Sequence, residues 1–135
     1  MGNAGIFNTA ADLARFGETL RRGGEVDDTR ILRDATVSEM FRDQLPEGID
    51  PGFRHGLGFR IGEETFMGVL AASGAVGHTG FTGTSLVIDS TRSLVVVLLT
   101  NRVHPSRDWS DTAAVRRRAA EIAAADGSAA QERHA

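Results

Sequence analysis

His78 and Thr79 stand between glycines in the run Gly77-His78-Thr79-Gly80-Phe81-Thr82-Gly83-Thr84-Ser85. An imidazole and a hydroxyl side by side can orient a carboxylate or a carbonyl through hydrogen bonds. The flanking glycines let the backbone of another molecule approach closely. The stretch therefore predicts a strand that lines a site. Ser85, His78 and Asp89 are the residue types of a nucleophilic triad, but Ser85 falls in a strand pattern with no Gly-x-Ser-x-Gly elbow, which argues against a self-contained triad. The four histidines, at 55, 78, 104 and 134, lack short-range ligand spacing, and there is no cysteine, so no metal site is expected. His55 reads as a packing or surface residue, His104 as a turn residue before Pro105, and His134 as part of the tail.

What is missing narrows the chemistry further. All 15 cationic residues are arginine, and tyrosine is absent. A lysine base, a lysine Schiff base, a tyrosine base and a Gly-x-x-x-x-Gly-Lys phosphate loop are thus impossible within these 135 residues. No cofactor is called for. A net charge of -3 makes no electrostatic case for nucleic acid. No apolar run approaches the ~18 residues of a membrane span. The first residues carry no basic region followed by an apolar one, so no signal peptide is visible; the compartment is undefined, and cytoplasmic only if the chain is complete as given.

The elements that must position His78 and Thr79 follow from periodicity. Thr9 is a candidate N-cap for a helix whose apolar positions are Leu13, Phe16 and Leu20, stopped by Gly23-Gly24. A second helix starts near Asp34 with Val37, Met40 and Phe41 on its apolar face. Residues 46–52 form a loop rich in proline and glycine. His55 to Ile61 predicts one strand with Leu57, Phe59 and Ile61 on a single face. Phe66 to Ala72 is ambiguous. Ala75 to Gly80 predicts a strand, and Thr84 to Asp89 with Leu94 to Asn101 predicts an antiparallel hairpin. The unbroken apolar run Leu94–Leu99 suggests burial on both faces. A last helix, capped by Asp108 or Ser110, would run to about residue 125 with Val115, Ala119 and Ile122 as its stripe, and Arg116, Arg117 and Arg118 as a solvated face. The class expected is α+β, an antiparallel sheet flanked by helices. The expected organisation is one unit over 1–127 and a disordered polar tail over 128–135.

The motifs in this order resemble the C-terminal part of the penicillin-recognising serine hydrolases, which include class C β-lactamases, related carboxylesterases and low-molecular-weight penicillin-binding proteins. The segment Gly5-Ile6-Phe7-Asn8-Thr9-Ala10-Ala11-Asp12-Leu13-Ala14-Arg15-Phe16 is similar to the helix that follows the family's second catalytic motif. The stretch Ile31 to Met40 is similar to the next family helix. His55-Gly56-Leu57-Gly58-Phe59 resembles a Tyr-Gly-Leu-Gly-aromatic strand with His55 in place of tyrosine. His78-Thr79-Gly80 matches the third motif, Lys/His-Thr/Ser-Gly, and Leu98 to Arg102 with His104-Pro105 resembles the end of the last strand.

The resemblance implies a β-lactamase-like fold and a parent activity of acyl transfer, hydrolysing an ester, an amide or a β-lactam. His78, Thr79 and Gly80 would form the substrate-binding wall, and the Phe81 backbone N–H would be one oxyanion-hole donor. The family's Ser-x-x-Lys and Tyr-x-Asn motifs have no counterpart here, so no complete catalytic set is present. The expectation is a C-terminal fragment, inactive alone, of an enzyme acting on a small acyl, peptide or β-lactam substrate. The alternative is a non-catalytic binding module or remnant. It would pair with a separate N-terminal chain, or self-associate, through the exposed strand at 94–99.

Overall fold

The computed structural model describes residues 5–49, 52–109 and 111–132. Five strands form one antiparallel sheet in the order β3-β4-β5-β6-β7, from β3 (Arg54–His55), β4 (Arg60–Ile61), β5 (Val76–Thr79), β6 (Ser85–Asp89) and β7 (Leu94–Leu98). Helices α1 (Ala10–Arg21) and α2 (Asp34–Phe41) cover one face. Helix α3 (Glu64–Met67), the 3₁₀ turn Gly68–Ser73 and α4 (Thr112–Glu132) cover the other. A separate two-strand pair, β1 (Glu25–Val26) with β2 (Thr29–Arg30), lies between α1 and α2 in the chain and was not anticipated. The α+β class with an antiparallel sheet flanked by helices is the one expected from sequence.

Alternation along the strands builds two cores. Val76 and Ile88 point to the α1/α2 face and pack with Leu20, Val37, Phe59 and Ile61. Val87 points the other way and packs with Phe66, Met67, Leu70, Ala75, Ala120 and Ala124. Helix α1 begins where Thr9 predicts: the Thr9 hydroxyl accepts from Asp12 N–H at 3.2 Å, a cap whose loss typically costs about 1 kcal/mol. The chain leaves the helix at Gly23-Gly24, where Gly24 N–H still reaches Thr19 O at 2.8 Å.

Several expectations are corrected. The segment from His55 to Ile61 is not one strand. Gly56 N–H donates to Phe59 O at 2.8 Å and reverses the chain, so β3 and β4 pair with each other and Leu57 faces solvent while Phe59 and Ile61 are buried. The ambiguous Phe66–Ala72 stretch is helical. Leu94–Leu98 does meet helices on both faces, Val95 on the α1 side and Leu94 and Val96 on the α4 side, but every residue of β7 is only half-buried because β7 is the sheet edge among the described residues.

The last helix is capped by Asp111, whose Oδ1 accepts from Ala114 N–H at 3.0 Å, not by Asp108; Ser110 lies outside the described residues. Its buried face is Thr112, Ala120 and Ala124, with the half-buried Arg116 completing a four-residue repeat, while Val115 and Ile122 are exposed. It also continues through Asp126-Gly127-Ser128 to Glu132 rather than stopping there. His134 lies outside the described residues.

Candidate functional site

β5 carries His78 and Thr79 at the open end of the sheet. Its ladder with β4 ends at the Arg60–Gly77 pair, whereas its ladder with β6 runs on through His78–Leu86 and Thr79–Ser85. At His78 and Thr79 the strand is thus paired on one side only among the described residues. Alternation puts His78 on the α1/α2 face and Thr79 on the α3/α4 face. The His78 ring is exposed and hydrogen-bonds to no described residue; Thr79 is half-buried.

The same alternation disposes of the triad. Ser85, opposite Thr79, faces away from His78. Asp89 is committed elsewhere: Ser73 Oγ–H donates to its Oδ2 at 2.6 Å, Arg92 Nη1 at 2.9 Å, and Arg92 N–H reaches Oδ1 at 3.0 Å. His55 sits on β3, two strands from Gly77, with Nδ1 2.9 Å from Gly56 O and its ring against Phe53, a packing role as expected. Among the described residues no three His, Cys, Asp or Glu side chains gather as a metal site would require.

Beyond Thr79 the chain makes a tight turn. Gly80 N–H donates to Thr84 O at 2.8 Å, and Gly83 N–H to Gly80 O at 3.1 Å. Gly83 sits at φ +104°, where side chains are strained, and a β-carbon there would stand 2.1 Å from Thr100 Oγ1. That hydroxyl is buried without a hydrogen-bond partner, beside a cavity of about 150 Å³ that Gly83, Thr100, Arg102 and Thr112 help to line. At the crest of the turn, Phe81 N–H finds no acceptor among the described residues. Phe81 is 66% exposed, and the guanidinium groups of Arg102 and Arg107 lie 5.5 and 5.6 Å from its ring centroid.

Two arginines hold the turn from behind. Arg102 Nε donates to Phe81 O at 2.9 Å, and its Nη1 to Thr112 Oγ1 at 2.9 Å. Arg116, on α4, donates Nη2 to Gly80 O at 2.7 Å and to Thr84 O at 3.0 Å, and Nε to Gly83 O at 3.3 Å. No carboxylate pairs with Arg116 among the described residues, and burial, followed by the nearby Arg102 charge, lowers its pKa below the ordinary arginine value. Reading Arg116 with Arg117 and Arg118 as one solvated face missed this. The repeat Thr112, Arg116, Ala120, Ala124 was the available signal.

The β-lactamase family model matches residues 1–121. The chain belongs to the β-lactamase family. Its relatives include proteins of Escherichia coli (strain K12) and Salmonella newport (strain SL254), each named "Putative D-alanyl-D-alanine carboxypeptidase". Each is 36% identical over 107 residues, which cover 76% of this chain and 24% of the relative. This β-lactamase-family chain thus spans about a quarter of the length of the curated relatives it matches. The penicillin-recognising serine hydrolases, named above from its motifs, are the superfamily in which these findings place it.

Proposed function

We propose that this chain supplies one wall of the cleft of a serine acyl hydrolase, with His78, Thr79 and Gly80 facing the substrate and Phe81 N–H as one oxyanion donor. The observation that carries the reading is a Phe81 N–H that finds no acceptor among the described residues, in the turn just beyond a strand whose edge is open there. An extended peptide can lie along such an edge, with main-chain hydrogen bonds giving affinity. On one face of that edge the exposed His78 imidazole suits a substrate carboxylate or carbonyl, and on the other the Thr79 hydroxyl offers a hydrogen bond to a different part of a peptide lying along the edge. Peptides ending in D-Ala-D-Ala are the substrate class favoured, from the names of the relatives.

The nucleophile and its base would come from a Ser-x-x-Lys outside these residues, since the chain has no lysine. The serine oxygen adds to the carbonyl carbon, and the carbonyl oxygen becomes an oxyanion held by Phe81 N–H and a second N–H. The amine then leaves with the serine's proton, and water hydrolyses the acyl ester. Loss of one such donor typically raises the barrier by about 3 kcal/mol.

The test is a titration of the isotope-labelled chain with an N-acyl-D-Ala-D-Ala peptide, followed by amide NMR. Shifts concentrated at His78 to Phe81, weakened by Thr79→Val, are expected. No shift there at millimolar peptide would overturn the reading.

A second reading has its own support. β7 is a half-buried apolar edge, and Ile6 and Phe7 are 87% and 98% exposed. A separate N-terminal chain adding a strand to β7 would cover that edge. Sedimentation of the pure chain as a stable monomer up to high concentration would count against an unsatisfied edge, whereas self-association relieved by an added strand peptide would favour it.

A further inference from the structure

We propose that Arg116 is a positioning residue for the Phe81 amide: its guanidinium holds the Gly80 carbonyl and so fixes the direction in which Phe81 N–H points. The argument starts from one peptide plane. Gly80 C=O and Phe81 N–H belong to the same trans peptide unit, in which the two groups point in opposite directions. Gly80 O is anchored twice, by Arg116 Nη2 at 2.7 Å and by Gly83 N–H at 3.1 Å. Rotating this peptide so that Phe81 N–H turned inward would break both bonds and leave a half-buried guanidinium short of one acceptor.

Arg116 also holds the carbonyls of Gly83 and Thr84, so the whole turn is fastened to α4 rather than only its first peptide. A planar fork suits this task, because one rigid group meets three carbonyls from a single direction; a lysine ammonium is a compact point charge and lacks that geometry. A positive charge on the carbonyl side also polarises the peptide and strengthens its N–H as a donor. The alternative role, an ordinary surface arginine, does not fit a half-buried side chain with three carbonyl partners and no carboxylate among the described residues.

The catalytic meaning of this arrangement rests on the serine hydrolase reading, but the arrangement itself can be tested without it. Amide NMR and hydrogen exchange would be measured on the wild-type chain, Arg116→Met and Arg116→Lys. The Phe81 amide resonance should move in Arg116→Met, and exchange at Gly80 and Gly83 should accelerate about tenfold or more. Amides of Val87 and Val96 should stay within about twofold. Arg116→Lys should restore part of the protection, because one donor can still reach one carbonyl; it also serves as the reporter if Arg116→Met does not fold. An unmoved Phe81 resonance with unchanged exchange would overturn the proposal, as would uniform acceleration at every amide. The peptide titration separates the two readings. Loss of the peptide response in wild type with the exchange pattern intact would remove the hydrolase reading and keep the positioning role. An identical peptide response at Phe81 in wild type and both variants would do the reverse.

Discussion

Gly77 and Leu86 approach so closely across the β5–β6 ladder that a β-carbon on Gly77 would stand 2.5 Å from the Leu86 carbonyl oxygen, with Phe66 and Met67 side-chain atoms at 3.1 and 3.3 Å. The approach is backbone against backbone, so no rotamer change relieves it. It fixes the lateral position of the residue that precedes His78, and with it the line of the wall.

Gly77→Ala is therefore expected to lower stability by about 2 kcal/mol, near the middle of the range for overpacking a close contact. Denaturant midpoints with an unchanged slope would measure it. The His78 and Thr79 amides should shift in the same variant. A midpoint equal to wild type would mean the ladder can open at no cost.

Acid should weaken the fold through two carboxylates. At Asp89, burial alone would raise the pKa, but hydrogen bonds from Ser73 and from Arg92, together with the Arg92 charge, outweigh it and leave the pKa below 3.8. At Glu18, the hydrogen bond from Arg21 leads, burial opposes it, and Arg22 adds to it, taking the pKa from 4.5 to about 2. A folded-state pKa below the unfolded one means stability that is fully present above the unfolded value and lost as pH falls through the folded value. For Glu18 that window runs from about 4.5 down to about 2. Replacing Glu18 with Gln should flatten the decline there and cost about 1 kcal/mol at neutral pH, a figure discounted for partial solvent exposure. An acid titration of unfolding free energy with the same slope in both proteins would contradict this.

The 135-residue chain by itself should not turn over nitrocefin or a nitrophenyl ester above the buffer rate, because it contains neither a lysine base nor a Ser-x-x-Lys nucleophile. Hydrolysis that scales with protein and disappears in His78→Ala would show that a nucleophile within these residues had been overlooked.

Local signals in the chain are legible where local physics governs. Thr9 and Asp12 announce the start of α1, Gly23-Gly24 its end, and the apolar runs around Ser90-Thr91 the β6–β7 hairpin. The order of the motifs from Gly5 to His104-Pro105 was enough to name the family that the comparison then matched over residues 1–121. The absence of lysine and tyrosine, legible in the residues alone, limits the chemistry available to the chain.

Tertiary structure decided what depends on partners far apart in sequence. Alternation in the His55–Ile61 segment looks like one strand, but Leu57 N–H is taken by Met40 O and Gly56 N–H by Phe59 O, which turns the segment into a hairpin. The buried face of α4 is set by what α3 and β7 offer it, so small Ala120 and Ala124 go inside while larger Val115 and Ile122 stay out. Arg116 looks like one of three solvated cations until α4 is docked; it then meets carbonyls 32 to 36 residues away in sequence. Sequence determined which residues are present and which turns and caps they favour, because those are short-range energies. The direction of the Phe81 amide belongs to the packed molecule, because the group that holds its peptide plane comes from another element.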